Sequence, residues 1–321
     1  MWLIHGGVML DIQDETGRTA LIVAAAVRKH PAAVTALLNK GCAVDLQDSF
    51  GRSALMEACA ANDEHIASVL LNAGADVNMR DTGGRTPLLD SCARGLRAMS
   101  ILLIYSNSDL DAQDWSGRTA LVCAAEEGHT HLVDILLARG ASLNFTTYKS
   151  EVEKDKLFGR TALMEACESG HFDIVQRLVL AQADLDLQDS RGKTALITSS
   201  LRCHDKITTL LVASGANVNL QDDKGHTVLM ICLNKQHDAV AAFLASLSLM
   251  RESINVNLAD KERKTALYHA VHKGYSDVAV TLIEGGVDVL TTTNSGQSIR
   301  DLAVEKQDFK VLQALAPNHQ S

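Results

Sequence analysis

The sequence predicts an all-α repeat solenoid, and three observations carry that prediction. A short phrase, Gly-Arg-Thr-Ala-Leu or a close relative, returns along the chain with its hydroxyl residue at Thr19, Ser53, Thr86, Thr119, Thr161, Thr194, Thr227, Thr265 and Ser298. The steps between copies are 34, 33, 33, 42, 33, 33, 38 and 33 residues, a register that chance similarity does not hold over nine copies. Only three prolines interrupt a chain dominated by Ala and Leu, a composition that favours helices.

The clearest unit, "FGRTALMEACESGHFDIVQRLVLAQADLDLQDS", runs from Phe158 to Ser190 and divides into parts with separate physical tasks. Thr161 is placed to cap a short helix, its hydroxyl accepting from an orphan amide of the first turn. That helix carries the small residues Ala162, Ala166 and Cys167, which let neighbouring helices approach closely. Gly170 ends it, because glycine accepts the left-handed conformation of a tight turn. The second helix presents Ile174, Val175, Leu178 and Val179 as an inward stripe. "ADLDLQDSRG" then alternates apolar residues into an Asp-x-x-Gly turn, the pattern of a hairpin-like finger.

Gly-x-Thr-Ala-Leu, the Gly-His pairs at Gly128-His129 and Gly170-His171, and the strings "GADVN" at Gly74–Asn78 and "GANVN" at Gly215–Asn219 together resemble the ankyrin-repeat family. The resemblance covers essentially the whole chain and implies a β-turn finger followed by two antiparallel helices in each unit. One departure is systematic: the family's Pro-Leu-His becomes Ala-Leu followed by Met56, Met164 or Met230, and only Thr86-Pro87-Leu88 keeps the proline. Methionine fills core space adaptably, so the fold stands. The expected organisation is one ankyrin-repeat domain over residues 1–321, with a partial repeat at 1–13. Full repeats are expected at about 14–47, 48–80, 81–113, 114–155, 156–188, 189–221, 222–259, 260–292 and 293–316. In the opening "MWLIHGGVMLDIQD", Leu3 and Ile4 align with Leu70 and Leu71, and Gly7 with Gly74, so the chain is expected to start inside a longer repeat array. In the last unit Arg300 stands where other repeats have an inward Leu, as in a capping repeat.

Departures from the repeat pattern are the places to look for function. Nine extra residues lengthen the finger within "NFTTYKSEVEKDKLFG" at about 146–156, and its charge density predicts a solvated loop. A tolerated insertion accounts for it, since loop-closure entropy grows slowly with length; a finger reaching over a groove to a partner is the functional alternative. Five residues entering near "FLASLSLMRESINVN" read as a longer second helix or a bulged loop. In "DKERKTAL" Arg263 replaces the finger glycine, which either strains the turn or alters it.

Composition excludes several function classes. A net charge of −9 argues against binding phosphate backbones, which needs clustered cations, and no nucleic-acid partner is expected. No apolar run approaches the roughly 20 residues that span a bilayer, so no membrane insertion is expected. Seven cysteines without a CxxC pair point to reduced thiols, hence a cytoplasmic or nuclear protein. Cys59, Cys92 and Cys167 share one column with Ala25 and Ala125, a place for small buried side chains rather than a nucleophile. His30, His129, His171, His204 and His237 recur one per repeat and do not converge on a metal. "SRGKTAL" lacks the upstream glycine of a phosphate-binding loop, Leu187 standing there. No catalytic residue, cofactor or metal is expected.

The remaining candidates bind a partner. Arg18, Arg52, Arg85, Arg118, Arg160, Lys193 and Lys264 each precede a capping residue, and most have an acid four residues earlier: Asp14, Asp48, Asp81, Asp114, Asp189 and Asp260. The cations form either within-turn ion pairs or a positive ladder that steers an acidic segment. Glu57, Asp90 and Glu165 share a first-helix column that, by the family resemblance, faces a concave groove. Phe50, Trp115 and Phe158 sit at finger tips, which the resemblance makes the partner-reading positions. The function expected is a non-catalytic, monomeric protein-interaction module or scaffold. The alternative is a regulatory or ligand-sensing segment of a larger enzyme or channel, with Lys193 contacting an anionic ligand.

Overall fold

The computed structural model describes residues 9–27, 30–148, 158–248 and 254–316. The partial repeat through residue 8 and the greater part of the finger insertion lie outside these residues. The chain is all-helical, and its compact units are residues 1–165 and 166–321, the division falling within one helix.

The first unit stacks helical pairs: α1 (Ala20–Ala26) with α2 (Pro31–Asn39), α3 (Ala54–Ala60) with α4 (Glu64–Asn72), α5 (Pro87–Ala93) with α6 (Arg97–Tyr105), and α7 (Ala120–Glu126) with α8 (Thr130–Ala138). First helices pack on first helices and second on second, as α1 on α3 and α4 on α6. Helix α9 (Ala162–Ser169) carries the division. The second unit repeats the scheme with α10 (Phe172–Leu180), α11 (Ala195–Leu201), α12 (Asp205–Ala213), α13 (Val228–Lys235), α14 (Asp238–Leu247), α15 (Ala266–Lys273), α16 (Ser276–Glu284), α17 (Ile299–Glu305) and α18 (Phe309–Ala314). Among the described residues this makes an all-α repeat solenoid of eighteen helices, with isolated bridges at Ala259–Thr265 and Thr292–Ser298 in place of strands.

The helices are too short to be stable alone, so caps and packing hold them. All nine predicted capping hydroxyls accept from an amide three residues on, at 3.1–3.5 Å. The core follows the predicted columns: Ala162, Ala166, Cys167, Ile174, Val175 and Leu178 are fully buried, as are Met56, Met164 and Met230, while Val179 is only partly covered. Arg300, in the column of buried Leu163, is exposed.

Side chains rather than a sheet satisfy the finger backbones. The finger Asp accepts through Oδ1 from the amides two and four residues on: Asp48 from Phe50 and Arg52 at 2.9 and 2.8 Å, Asp189 from Arg191 and Lys193 at 2.8 and 2.9 Å. The Gln before it clasps two fingers at once. Gln13 Nε2 donates to the carbonyls of Gly17 and Gln47 at 2.7 and 2.9 Å, and Gln188 to those of Gly192 and Gln221 at 2.6 and 2.9 Å. Where the third finger has Arg80 instead, its guanidinium donates to the Gln113 carbonyl at 2.8 Å. Backbone bonds join the tips in the opposite direction, later finger to earlier, Thr82 N donating to Phe50 O and Trp115 N to Gly83 O at 3.0 and 3.1 Å.

Arg263 resolves the choice left open by the sequence: it keeps the glycine conformation with φ 62°, so the finger turn survives in a region that disfavours side chains. Helix α14 has ten residues against the usual nine of second helices, and the residues that follow at 249–253 lie outside those described. The finger insertion leaves the base of its turn closed, with Thr147 N donating to Arg160 O at 3.0 Å.

Two substitutions separate capping from backbone strain. Thr119→Ala should lower unfolding free energy by about 1 kcal/mol through loss of its cap. At Gly84, with φ +74°, an added Cβ would lie 2.7 Å from the Trp115 ring. Gly84→Ala should therefore cost more than the ~1–2 kcal/mol of a left-handed side chain alone; urea unfolding followed by circular dichroism reads both.

Candidate functional site

All ten residues singled out for partner binding fall in the first unit, on its fingers and the adjoining ends of its first helices. The structure divides the cation row into two behaviours. Arg52 and Arg160 turn away from their fingers onto the first helix. Arg160 makes a two-pronged pair with Glu165, Nε–Oε1 at 2.7 Å and Nη2–Oε2 at 3.1 Å, and donates to the Met164 carbonyl at 3.3 Å. Arg52 repeats this with Glu57 and, at 3.2 Å, the Met56 carbonyl. The shared string Leu-Met-Glu-Ala-Cys after each cap explains the identical fork. Burial works against the charge of Arg52, but the Glu57 hydrogen bond and the charges of Glu57, Asp90 and Asp81 outweigh it and raise its pKa above the usual guanidinium range.

Arg18 and Arg118 instead make the within-turn pair, to Asp14 at 3.2 Å and to Asp114 at 2.9 Å. Arg85 lies 4.0 Å from Asp114 of the following finger, and Asp90 pairs with Arg94 at 3.2 Å. Arg52 and Arg160 thus pair with first-helix acids, while Arg18, Arg85 and Arg118 are drawn to finger acids. The finger acids serve first as backbone locks: the hydrogen bond from Thr16 leads those that pull the Asp14 carboxyl down to about 2.

The aromatic tips differ in how they are held. Phe50 is 62% exposed and Phe158 38% exposed, both directly before a finger glycine. Trp115, 53% exposed, lies against Gly84 of the preceding finger, its Nε1 donating to the Thr82 carbonyl at 3.0 Å and the Arg80 guanidinium 5.8 Å from its ring. Packing on the neighbouring finger and exposure of the other ring face therefore coexist. Tyr148 is a tip residue that the repeat pattern did not single out: it is 44% exposed, packs on Gly117 and donates its hydroxyl to the Asp114 carbonyl at 2.7 Å. Its signal was its place directly after Thr147, which stands in the finger-Asp column, but the insertion that follows obscures that register.

Two of the recurrent histidines are spacers between repeats, while His237 pairs through Nδ1 with Asp205 at 2.5 Å. His30, His129, His171, His204 and His237 begin second helices without capping them through the side chain. His129 packs on Gly95 of the preceding repeat and His204 on Gly170, so these rings do not converge. In the second unit a cavity of about 550 Å³ is lined by Arg191, Lys193, Lys224 and Lys235 together with Asp222 and His226.

Finger, capped first helix and stacked second helix recur in the matching positions of both units. A family model described as ankyrin repeats (3 copies) matches residues 1–81, 73–147, 145–222, 163–256 and 203–293. The chain belongs to the ankyrin-repeat family. A search of curated proteins finds no match. Ankyrin repeats are generally protein-interaction modules and typically non-catalytic. Among the described residues no helix is long and apolar enough to cross a membrane.

Two measurements check the chemistry of this surface. Arg160→Met leaves Glu165 partly buried without its partner and should cost about 3–5 kcal/mol, most of it recovered in Arg160→Met/Glu165→Leu; urea unfolding of both variants reads this. Burial pushes the thiols of Cys59, Cys92, Cys123 and Cys232 up to about 12, while Cys203 is exposed. A thiol reagent at pH 8 should label Cys203 rapidly in the native protein and reach all seven cysteines only after unfolding.

Proposed function

We propose that this ankyrin-repeat chain is a non-catalytic interaction module that binds another protein through the finger tips and first-helix ends of residues 48–165. The observation that carries this reading is the set of exposed aromatic tips, Phe50, Trp115, Tyr148 and Phe158, on fingers tied to one another by hydrogen bonds. Aromatic anchors supply much of the energy of protein interfaces, and a pre-ordered anchor loses little entropy on binding. Around these anchors the pairs Arg52–Glu57 and Arg160–Glu165, the pair Asp90–Arg94, and Arg85 and Arg118 beside Asp114 form a rim of paired charges. Such a rim favours a partner that brings apolar side chains and hydrogen-bonding groups over one that brings a block of negative charge. The free, mostly buried cysteines support a reducing compartment, the cytoplasm or the nucleus.

The test is affinity capture with the full chain, followed by titration of each captured protein against wild type, Phe50→Ala and Trp115→Ala. The variants should melt within a few degrees of wild type. At least one partner should bind the variants about 30-fold more weakly, the ~2 kcal/mol of an interface hot spot. Unchanged affinity for every captured partner sinks the assignment of this surface.

A further inference from the structure

The second unit brings together three side chains that sequence columns keep apart. His226 occupies the row that in seven other repeats holds Arg or Lys before the cap, and His269 the first-helix column of Glu57, Asp90 and Glu165. Asp260 is the finger acid of the repeat that also carries His269. His269 Nε2 lies 3.1 Å from Asp260 Oδ2 and His226 Nε2 lies 3.9 Å from the same oxygen. One ligand atom from each of the three falls within 4.8 Å of the others. We propose that His226, Asp260 and His269 form a binding site for a divalent transition-metal ion of the zinc class.

The three ligand atoms stand near, and on one side wider than, the spacing such an ion needs. Ligand atoms around tetrahedral zinc, with bonds of about 2.0–2.2 Å, stand roughly 3.3–3.5 Å apart, so modest side-chain contraction closes the set. Each ligand is aimed by its other polar atom. His226 Nδ1 lies 3.4 Å from Asp222 Oδ2, and His269 Nδ1 lies 3.2 Å from Asn234 Oδ1. Asp260 Oδ1 accepts from the amides of Glu262 and Lys264, both at 2.9 Å, which fixes Oδ2 toward the imidazoles. Imidazoles oriented by an acceptor at Nδ1 are the usual outer shell of a metal-bound histidine. Without an ion His269 Nε2 is within hydrogen-bond reach of Asp260 Oδ2, and a metal entering there displaces the shared proton.

Turn formation does not account for this cluster. Asp48 and Asp189 lock their fingers although the columns of the two histidines hold Arg18 and Glu57, and Arg160 and Thr198, so the Asp260 turn needs neither ring. Lys264 beside the cluster is engaged by Glu262. His226 and Asp222 line the 550 Å³ cavity, which gives the ion an entry path. Two imidazoles and one carboxylate suit zinc and its neighbours rather than magnesium or calcium, which take all-oxygen sites.

The test is calorimetric titration of the tag-free full chain with zinc chloride, in a Cys203→Ala background that removes the exposed thiol. One equivalent should bind with release of protons and raise the melting temperature. Cobalt(II) should give visible ligand-field bands without thiolate charge transfer. His226→Ala, a finger residue whose loss leaves the core intact, should weaken binding at least about 10-fold, and Asp222→Asn by about 10–100-fold. Absence of a saturable equivalent overturns the proposal. So does zinc affinity unchanged in His226→Ala, or a cobalt spectrum dominated by sulfur.

Discussion

A polar clasp at the base of each finger holds the rest of the architecture in place. A finger exposes backbone amides and carbonyls that a sheet would otherwise satisfy, and unpaired groups of this kind are costly once partly buried. The adjacent Gln and Asp divide the work, Asp189 folding its own finger while Gln188 ties that finger to the next. Because the tie spans 33 residues in the regular repeats, it matches the spacing at which their helices stack. It also explains why the lengthened finger is accommodated: Thr147 takes over from the acid, its hydroxyl accepting from the Arg160 amide at 3.0 Å, and the extra residues leave from a closed base.

The same economy shapes the surface. Where a row of arginines looks like a positive rail, Arg52 and Arg160 are folded back onto Glu57 and Glu165, and Asp114 draws Arg118. Paired charges of this kind set local order more than they attract. What is left for recognition is shape, aromatic area and the free faces of rings such as Trp115, which the neighbouring finger supports from behind.

Much of this was legible in the sequence because a repeat states its own rules several times. The caps, the small residues of the first helices and the inward stripe of Ile174, Val175 and Leu178 each follow from one column read down the repeats. Columns read one at a time cannot reveal contacts between columns. The turn of Arg52 toward Glu57 depends on a side-chain rotamer, and the meeting of His226, Asp260 and His269 depends on which positions of adjacent repeats face each other. Tyr148 was hidden for a different reason: the insertion displaces the phrase that would have marked it as a tip.

The packing of His129 on Gly95 bears on how such an array can change over time. The ring belongs to one repeat and the space it fills to the repeat before, so neither unit is complete by itself. Asn62 holds the turn position that Gly95 holds one repeat later, with a side chain where the glycine leaves room. A side chain at the turn does not bar a ring: His237 stands at the same 34-residue offset from Cys203 and pairs through Nδ1 with Asp205. How each ring is seated therefore depends on which unit precedes it, so the order of the units carries information beyond their number.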